Sequence, residues 1–300
     1  MLSLTILGNN SAIPAFGRNP TAQVLQLQDD YFLIDCGEGT QSQLSKYKIR
    51  RSKINYIFIS HLHGDHYFGL IGLLTSMSLL SRTQDLHIYG PAPLEQIINI
   101  QLEVADTKLS YSLFFHSIHS PGVILDDNKF SVSIFPLQHR IECWGFLFRQ
   151  KKKPRSIDPI KIKNYEIPAS FYSKLQNGED YTSQKGTIIH NELVTMANSP
   201  CKSYAYCADT IYDEGLVEIV QGVDILYHET TYLNASADKA AARYHCTTSQ
   251  AGSIALKAGV KKLIIGHFSS RYEHLDDFLT ETTAVFKNTE LSREGTCYFT

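Results

Sequence analysis

The sequence lacks the features that mark a protein for a membrane, for export or for a cysteine-based metal site. Its longest apolar stretch without a charge, near residues 67–81, contains Gly, Ser and Thr and is shorter than the ~20 residues of a membrane-spanning helix. No basic region or cleavage-like site marks the N-terminus, so we expect no signal peptide. The six cysteines include no CxxC pair, which excludes a zinc ribbon and indicates reduced thiols in a cytoplasmic protein.

The chain also has almost no net charge. Its 28 basic and 30 acidic residues give a formal net charge of −2, which does not indicate a general nucleic-acid binder. With 43% hydrophobic residues, the chain can form a sizeable core, and this excludes disordered, collagen-like and low-complexity classes. The length favours one large domain spanning residues 1–300, with or without an insertion.

The basic residues are concentrated in two short segments. Residues 46–53 have five basic and no acidic side chains, and residues 149–163 have seven basic and one acidic. The rest of the chain has 16 basic against 29 acidic residues. Basic patches on an acidic protein suit a polyanionic partner that is held at particular places. The alternative is that both segments are solvated charge runs without a partner.

Short runs of β-branched and aromatic residues alternate with helical patterns along most of the chain. These runs predict strands at 2–7, 23–27, 31–34, 55–59, 86–89, 111–116, 130–136, 146–149, 203–207, 224–227 and 262–266. The helical patterns predict helices at 68–80, 93–105, 248–258 and 275–286. Thr247 is a suitable N-cap for the third helix, and Gly259 a suitable stop. The order of these elements predicts an α/β fold with sheets in the middle and helices outside.

Residues 150–200 break this pattern. The segment is first basic and then polar, is interrupted by prolines and glycines, and has only a weak strand–turn–strand signal near 188–194. So long a stretch with little regular structure inside a compact domain is usually functional or flexible. We therefore predict a flexible arm inserted into the domain. The alternative is a poorly ordered surface loop without a function.

Four potential metal ligands fall within six residues, directly after a predicted apolar strand. In the sequence HLHGDH, alternate residues of an extended segment point to the same side, so His61 and His63 can reach one metal ion. Gly64 permits a sharp turn, after which Asp65 and His66 open a helix that faces a second ion. Such groups packed together would repel and desolvate one another unless a cation held them.

Two metal ions need more than four ligands. The further candidates lie just beyond other predicted strands: His139 in PLQHR, Asp209 in YCADT and His267 in IIGHFSSRY. Each follows an apolar run that ends at one edge of a sheet, where α/β sites are assembled. For any one of them alone, a surface or helix-capping role would be the default.

The sequence resembles a known family over nearly its whole length. HLHGDH matches the HxHxDH signature of the metallo-β-lactamase fold. Together with GNNSAIPAFGRNPTA, FLIDCGEGTQ, HYFGL, PLQHRIECWGF, ADT, HETTY and GHFSSRY, it is similar to ribonuclease Z, the family of tRNA 3′-processing endonucleases. The resemblance implies an αββα sandwich, in which two mixed sheets are flanked by helices, with a protruding tRNA-binding arm at 150–200.

The resemblance also implies a two-metal hydrolase. His61, His63 and His139 would bind one zinc ion, Asp65, His66 and His267 would bind the other, and Asp209 would bridge them. Nitrogen and oxygen ligands suit two Zn²⁺ per subunit without excluding Mn²⁺ or Fe²⁺, and paired ions can activate water and polarise a phosphodiester. The expected activity is cleavage of precursor tRNA 3′ of the discriminator nucleotide, which leaves a tRNA 3′-hydroxyl and a 5′-phosphorylated trailer.

Three catalytic roles follow from the same resemblance. Asp65 is expected to act in catalysis as well as in metal binding, and His245 corresponds to the family histidine that helps the leaving group. An imidazole titrates near neutral pH and can donate a proton to the departing 3′-oxygen. Glu229 is the candidate that orients His245, with Arg243 or a backbone amide as its alternative partner. The other histidines match no ligand motif and are expected to be structural: His87, His116, His119, His190, His228 and His274.

Residues expected to bind precursor tRNA fall in three places. They are Arg18 and Asn19 in the first loop, Ser270 and Arg271 after the last histidine motif, and Lys151, Lys152 and Lys153 in the arm. The first loop resembles the family's PxKxRN loop, but Phe16 replaces its lysine, and the arm lacks the family's Gly-Pro dipeptide. The resemblance further implies a homodimer, in which the arm of one subunit holds tRNA for the metal site of the other, without membrane contact.

Three other functions compete with this expectation. A phosphodiesterase of small or cyclic phosphodiesters could use the same two-metal site, but a small substrate needs no basic arm. A non-catalytic RNA-binding protein on a degenerate hydrolase scaffold is disfavoured because the ligand set is complete. A thiolesterase similar to glyoxalase II is the most distant alternative.

Overall fold

The structure, a computed structural model, describes residues 2–151, 154–198 and 200–300. The chain divides into two compact units. The first comprises the chain up to Asp126, Ser131–Arg149 and Lys202–Thr300, and the second comprises Asp127–Phe130 and Gln150–Cys201. All seven predicted metal ligands belong to the first unit.

The described residues form short strands and helices in both units. The strands are β1 (Leu2–Gly8), β2 (Asn10–Ser11), β3 (Ala22–Leu27), β4 (Asp30–Cys36), β5 (Ile54–Phe58), β6 (Leu86–Pro91), β7 (Leu113–Ile118), β8 (Gly122–Asp126), β9 (Phe130–Leu137), β10 (Cys143–Gln150), β11 (Ser156–Ile157), β12 (Tyr181–Thr182), β13 (Ile188–Ile189), β14 (Thr195–Met196), β15 (Ser203–Cys207), β16 (Ile225–Glu229), β17 (Lys262–Gly266), β18 (Phe268–Ser269), β19 (Thr289–Leu291) and β20 (Cys297–Phe299). The α-helices are α1 (Thr40–Lys46), α2 (Gly64–Tyr67), α3 (Leu70–Leu79), α4 (Pro93–Val104), α5 (Pro159–Asn164), α6 (Tyr172–Asn177), α7 (Asn191–Val194), α8 (Leu216–Ile219), α9 (Ala237–Ala242), α10 (Thr248–Ala258) and α11 (Asp276–Val285). Short 3₁₀ helices lie at Arg51–Lys53, Ala169–Phe171 and Asn234–Ser236.

Two seven-stranded mixed sheets form the first unit. The strand order of one is β20-β1-β3-β4-β5-β6-β7, and that of the other is β19-β17-β16-β15-β10-β9-β8. In the first sheet the strands from β4 to β7 are parallel, and in the second β15, β16, β17 and β19 are parallel. Parallel strands end at the same edge of their sheet, and ligands bind beyond such carboxyl ends. The topology therefore provides an edge on each sheet where a site can be assembled.

Aromatic side chains fill the space between the two sheets. Phe32 and Phe58 of the first sheet each lie 5.3 Å, centroid to centroid, from Phe148 of the second. Phe58 also lies 5.4 Å from Phe146, and none of these four rings is exposed to solvent. Aromatic pairs at such distances stabilise a core beyond the burial of their area. Because these strands are covered on both faces, they read as almost continuous apolar runs in the sequence.

Helices cover the outer face of each sheet. Apolar side chains of α1, α3 and α4 pack on the first sheet, and those of α8, α10 and α11 pack on the second. Helix α10 begins with a capping box between Thr247 and Gln250 and ends at Gly259, whose φ is 61°. The predicted order of layers, with helices outside two sheets, is confirmed, as are both ends of this helix. In the described ranges, no helix is long and apolar enough to cross a membrane.

A glycine separates two consecutive helices, of which the second was predicted at 68–80. The pattern at 68–80 corresponds to α3 alone, and the separate helix α2 precedes it. The break lies at Gly69, whose backbone N–H donates to the carbonyl of Cys36 at 2.9 Å. A Cβ atom on Gly69 would lie 2.1 Å from the carbonyl oxygen of Gly37, so only glycine allows this close approach. The break lets α2 carry Asp65 and His66 in a direction of its own.

The second unit has more regular structure than the sequence indicated. Two small sheets, β11 with β14 and β12 with β13, lie with α5, α6 and α7 around a core of Ile162, Ile167, Leu175, Ile189 and Val194. Asp158 caps α5 by accepting hydrogen bonds from the backbone N–H groups of Ile160 and Lys161. The prediction of little regular structure at 150–200 is wrong for the described residues. Elements of two to six residues are too short to show a periodicity in the sequence.

Candidate metal centre

Three histidines and an aspartate lie together beyond the ends of three strands. His61 and His63 follow β5, His139 follows β9 and Asp209 follows β15. The Nδ1 atom of His63 is 3.0 Å from Nε2 of His61 and 3.1 Å from Nε2 of His139. The Oδ2 atom of Asp209 is 3.5 Å from Nε2 of His61 and 3.7 Å from Nε2 of His139. These four atoms lie within 4.8 Å of one another, which suits a single metal ion.

A second group of ligand atoms faces the other oxygen of Asp209. The Oδ2 atom of Asp65 is 3.6 Å from Nε2 of His66 and 3.5 Å from Nε2 of His267. The Oδ1 atom of Asp209 is 3.5 Å from Nε2 of His66 and 3.0 Å from Nε2 of His267. One carboxylate oxygen of Asp209 thus faces each group of ligands. The structure brings all seven predicted ligands together.

Buried atoms in the centre fit a cation. Among the described residues, His66 Nε2, His267 Nε2 and Asp209 Oδ1 are buried and have no hydrogen-bond partner of suitable geometry. A buried polar atom without a partner costs ~1–3 kcal/mol, so three such atoms converging on one place indicate a bound group. Imidazole nitrogens and carboxylate oxygens are ligands of Zn²⁺, Mn²⁺ and Fe²⁺. The residues present therefore form a metal-binding site.

A buried aspartate that sequence reasoning missed orients one of the ligands. Asp35, within β4, accepts hydrogen bonds from His66 Nδ1 at 2.7 Å and from the backbone N–H and hydroxyl of Ser60 at 2.8 and 2.9 Å. The hydroxyl of Tyr206 donates to the same carboxylate. Because Nδ1 of His66 carries the proton, its Nε2 is free to bind a metal ion. Asp35 lies in FLIDCGEGTQ, but a lone aspartate in a strand has no spacing that would reveal this role.

Three other outer contacts hold the ligands in place. His139 Nδ1 donates to the carbonyl of Tyr244 at 3.1 Å, which leaves its Nε2 facing the centre. His267 Nδ1 lies 3.0 Å from the hydroxyl of Thr231. The backbone N–H of Ala12 donates to Oδ2 of Asp65 at 2.7 Å. Backbone groups and a threonine leave no signal in the sequence, so these contacts could not be predicted.

The backbone is strained at three residues of the centre. Asp35, Asp209 and His267 have φ values of 56°, 49° and 60°, in the left-handed region that non-glycine residues rarely adopt. Each such residue costs on the order of 1–3 kcal/mol and persists only where the surrounding structure enforces it. Left-handed residues at the strand ends turn these side chains away from the strand direction and toward one another.

Burial and neighbouring charges determine the ionisation of the ligands. Burial disfavours the anion of Asp209, yet His267 and His66 hold its pKa well below the usual range. Burial lowers the pKa of His61, and the neighbouring His66 lowers it further. For His267, burial opposes the cation, but Asp209 and Asp65 raise its pKa to about 10. The carboxylates are therefore anionic at neutral pH, as metal ligands must be.

His245 lies at the edge of this centre. Its ring centroid is 5.3 Å from that of His139 and 5.5 Å from that of His267. Its Nδ1 atom is 2.9 Å from Oε1 of Glu229, a carboxylate with no exposed surface at the end of β16. Glu229 also accepts hydrogen bonds from the backbone N–H groups at residues 210 and 231. Burial lowers the pKa of His245, but the ion pair with Glu229 outweighs it and raises the pKa overall.

An open cleft of about 320 Å³ leads to the centre. Its lining includes metal ligands and the histidine beside them: His63, Asp65, His139, Asp209 and His245. The exposed ring of Phe68 and the guanidinium of Arg140 also line this cleft. The cleft is open enough for a phosphodiester to reach the ligand atoms.

Arg18 and Asn19, which were predicted to bind substrate, make contacts within the first unit. Arg18 donates hydrogen bonds to the carbonyl groups of Tyr272 and Glu273. The side-chain amide of Asn19 donates to the carboxylate of Glu294. Both residues therefore hold the first loop against the C-terminal part of the chain.

Phe16 lies beside Arg18, and the other residues predicted to bind precursor tRNA are Ser270, Arg271 and the three lysines of the arm. Phe16, which replaces the family's lysine, is 53% exposed, and its ring centroid lies 5.4 Å from the guanidinium carbon of Arg18. Ser270 is half-buried and Arg271 exposed, directly after β18. Lys151 belongs to the second unit, and Lys152 and Lys153 lie outside the described residues.

Curated proteins identify the family. Ribonuclease Z of Bacteroides fragilis (strain YCH46) is 44% identical to this chain over 296 residues, which cover 98% of the chain and 97% of that protein. The chain belongs to the ribonuclease Z family. Another ribonuclease Z, from Cytophaga hutchinsonii, is 44% identical over 301 residues, which cover 99% of the chain and 95% of that protein. The family predicted from the sequence is confirmed, and the chain is a hydrolase of the ribonuclease Z type.

Solved structures agree with this assignment. Human tRNase Z, short form, has a TM-score of 0.73 and 27% identity, covering 99% of this chain and 98% of its own. The metallo-β-lactamase fold protein YhfI from Bacillus subtilis has a TM-score of 0.70 and 19% identity, covering both chains completely. The predicted fold class is therefore confirmed. A family model described as Anti-Pycsar protein Apyc1 matches residues 2–149, which is less than half of this ribonuclease Z family member.

Proposed function

We propose that the enzyme cuts precursor tRNA 3′ of the discriminator nucleotide with the help of two divalent metal ions, Zn²⁺ above all. The observation that carries this proposal is the position of Asp209 between two groups of ligands. One of its oxygens lies 3.5 Å from His61 Nε2, and the other lies 3.0 Å from His267 Nε2. Two adjacent ligand groups that share a carboxylate are typical of enzymes that hydrolyse phosphodiesters.

Each proposed ligand has a defined place in this arrangement. His61, His63 and His139 would hold one ion, Asp65, His66 and His267 would hold the other, and Asp209 would contact both. When bound, two such ions supply an activated water and polarise the phosphodiester. The chain itself fixes the ligands, since Asp35 accepts a hydrogen bond from Nδ1 of His66 and the backbone N–H of Ala12 donates to Asp65.

His245 is the proposed general acid. Its Nδ1 is held by Glu229, so the proton that it can give away is on Nε2. His245 lines the cleft, and its raised pKa keeps a proton available near neutral pH. The proposed step is donation of this proton to the departing 3′-oxygen of the tRNA as the P–O bond breaks. Glu229 is a positioning residue, because it is buried and acts through His245.

The basic part of the second unit is the proposed arm for tRNA. Residues 149–163 have a net charge of +6, and Lys151, Lys152 and Lys153 form their most basic run. We expect a homodimer, as the family resemblance implies, in which each arm serves the metal site of the other subunit. The free cysteines of the chain support a cytoplasmic enzyme.

The experiment that tests the function is cleavage of an end-labelled precursor tRNA, followed by mapping of both product ends. We expect a single cut after the discriminator nucleotide, loss of the activity with a chelator, and recovery with Zn²⁺ or Mn²⁺. Cleavage that a chelator does not affect would contradict the metal assignment. Hydrolysis of small or cyclic phosphodiesters without cleavage of precursor tRNA would favour the alternative phosphodiesterase.

A second experiment tests the arm and the assembly. Replacing Lys151, Lys152 and Lys153 with Ala should raise KM for precursor tRNA and flatten its salt dependence, because fewer counterions are released on binding. Hydrolysis of bis(p-nitrophenyl) phosphate should hardly change, since that ester has no row of phosphates for the lysines to bind. An unchanged KM at low salt would show that the charge run has no partner.

A strictly monomeric active enzyme in sedimentation would overturn the proposed dimer.

A further inference from the structure

The basic segment at residues 46–53 has no part in the metal centre. It connects α1 to β5 and includes a 3₁₀ helix at Arg51–Lys53. In the described part of the chain, none of its five cations forms an ion pair with a carboxylate. The lysines at residues 257, 261 and 262 differ, because they pair with carboxylates at 2.6, 2.9 and 2.6 Å respectively.

Two open clefts meet at this segment. Lys48, Arg50 and Lys53, all exposed, line a cleft of about 380 Å³, and Lys53 also lines a neighbouring cleft of about 570 Å³. The Nζ atom of Lys53 lies 5.1 Å from the ring centroid of Tyr31, which keeps its ammonium group beside the first cleft. Asp29 lines the larger cleft but forms no ion pair with these cations. The segment therefore presents cations along a concave surface.

The charge of this segment favours an anionic partner. Five like charges within eight residues repel one another, and the chain places no neutralising carboxylate among them. Because the rest of the chain outside the two basic segments is acidic, this repulsion is a local feature rather than a consequence of overall composition. Several cations in a row along a cleft suit a row of phosphates better than a single anion.

The position of the segment restricts the size of that partner. Lys53 directly precedes β5, and the metal ligands begin at His61, beyond the other end of the strand. The five residues of β5 alone span roughly 15 Å, and eight fully extended residues would span at most roughly 25 Å. A mononucleotide or a small ester at the metal centre cannot reach so far, whereas a folded RNA can.

We propose that residues 46–53 bind phosphates of precursor tRNA and form a second RNA-binding surface, on the same unit as the metal centre. This inference rests on the proposed function, since it assumes that the substrate is an RNA longer than the cleft. The surface adds to the binding of the substrate and not to the chemical step. It contacts backbone phosphates, so it does not depend on the nucleotide sequence.

The test compares two triple variants with the same change in net charge. In the first, Lys48→Gln, Arg50→Gln and Lys53→Gln remove cations without a carboxylate partner. In the control, Lys257→Gln, Lys261→Gln and Lys262→Gln remove cations that have one. For both variants and the wild-type enzyme, KM and kcat for precursor tRNA are measured between 50 and 200 mM salt, together with hydrolysis of bis(p-nitrophenyl) phosphate.

We expect the salt dependence of KM for precursor tRNA to weaken in the first variant and to stay unchanged in the control. Each phosphate contact contributes about 0.7–0.9 to the slope of log affinity against log salt, so three lost contacts reduce the salt-induced rise in KM by roughly 20- to 40-fold over this range. Its kcat and its hydrolysis of the small ester should equal those of the wild type. An unchanged slope in the first variant, or an equal change in both, would overturn the proposal. Failure of the wild-type enzyme to cut precursor tRNA would instead contradict the proposed function.

Discussion

Two groups of histidines in the first unit have nearly the same spacing but different surroundings. In the metal centre, His61 Nε2 and His63 Nδ1 are 3.0 Å apart. Between β6 and β7, His87 Nδ1 and His116 Nε2 are also 3.0 Å apart. The first pair lies beyond the end of a strand, whereas the second pair lies on neighbouring strands of the first sheet.

The two pairs differ in what faces them. The metal centre brings two carboxylates, the half-buried Asp65 and the buried Asp209, to its histidines. The pair on β6 and β7 stacks among aromatic rings instead, with His87 5.6 Å from Tyr56 and His116 4.3 Å from Tyr89 between centroids. In the described residues, the possible ligand groups of three or more all lie in the metal centre.

This difference shows that close histidines do not by themselves form a metal site. Two imidazoles can share a hydrogen bond and stack within a sheet without any ion. A metal site also needs anionic ligands, outer groups such as Asp35 that set the ring orientation, and a position where the backbone can turn several side chains inward. The predictions below test these requirements in order of decreasing effect.

The largest effect is expected from the carboxylate between the two ligand groups. Asp209→Ala should reduce both metal content and cleavage of precursor tRNA to the level of metal-stripped enzyme, because this carboxylate faces both proposed ions. Asp209→Asn, which tolerates the left-handed backbone, should behave alike. Asp213→Ala, in the same loop, is the control and should keep both properties. Elemental analysis measures the bound metal, and a cleavage assay measures the activity. An active Asp209→Ala enzyme would disprove the proposed metal site.

His245→Ala should lower turnover of precursor tRNA by roughly two to four orders of magnitude, the range for a lost general acid. Its metal content should not change, because His245 is outside the proposed ligand set. Turnover of a substrate whose leaving group is p-nitrophenolate should fall much less, because this leaving group needs no proton. Equal losses on the two substrates, measured as kcat, would mean that His245 positions the substrate rather than protonates it.

Asp35→Asn should weaken metal binding by about 10- to 100-fold, the range for an outer hydrogen-bond partner of a metal ligand. Asparagine also tolerates the φ of 56°, so the backbone should be retained. Asp224→Asn is a matched control, because Asp224 is equally buried but bonds to Ser203 and two lysines. Competition with a chelating dye measures the affinities. Equal zinc affinity in the wild type and the Asp35 variant would contradict the proposed orientation of His66.

The smallest effect is expected at the second histidine pair. Burial, and then the neighbouring His87, lower the pKa of His116, so the unfolded chain binds more protons there than the folded one. The neutral His116 therefore contributes to the free energy of unfolding above the unfolded pKa of about 6.5, and this contribution is lost as the pH falls below that value. His116→Phe should therefore lose less free energy of unfolding between pH 7.5 and 5 than the wild type, with unchanged metal content. Urea titrations of metal-loaded protein test this, with exposed His119→Phe as the control.

Much of the fold was accessible from the sequence. Eleven of the fourteen strands in the two large sheets contain apolar runs that predicted them, whereas β8, β19 and β20 were not predicted. The cap at Thr247 and the stop at Gly259 are local signals that mark the ends of α10. An inserted segment was predicted at 150–200, but its helices and strands were not, since its strands have two residues and its core depends on contacts between segments as distant as Ile162 and Val194. Periodicity cannot show an element that spans only one or two periods.

The sequence alone determined the layers of the fold, the family and the seven candidate ligands, because each follows from the order of neighbouring residues. A strand followed by HLHGDH places four candidate ligands within six residues, whatever the rest of the protein does. Only the tertiary structure decided how these ligands are oriented. Asp35 meets His66 from 31 positions away, and the carbonyl of Tyr244 meets His139 from 105 positions away. Such contacts depend on how distant segments of the chain come together, so no local pattern of residues can encode them.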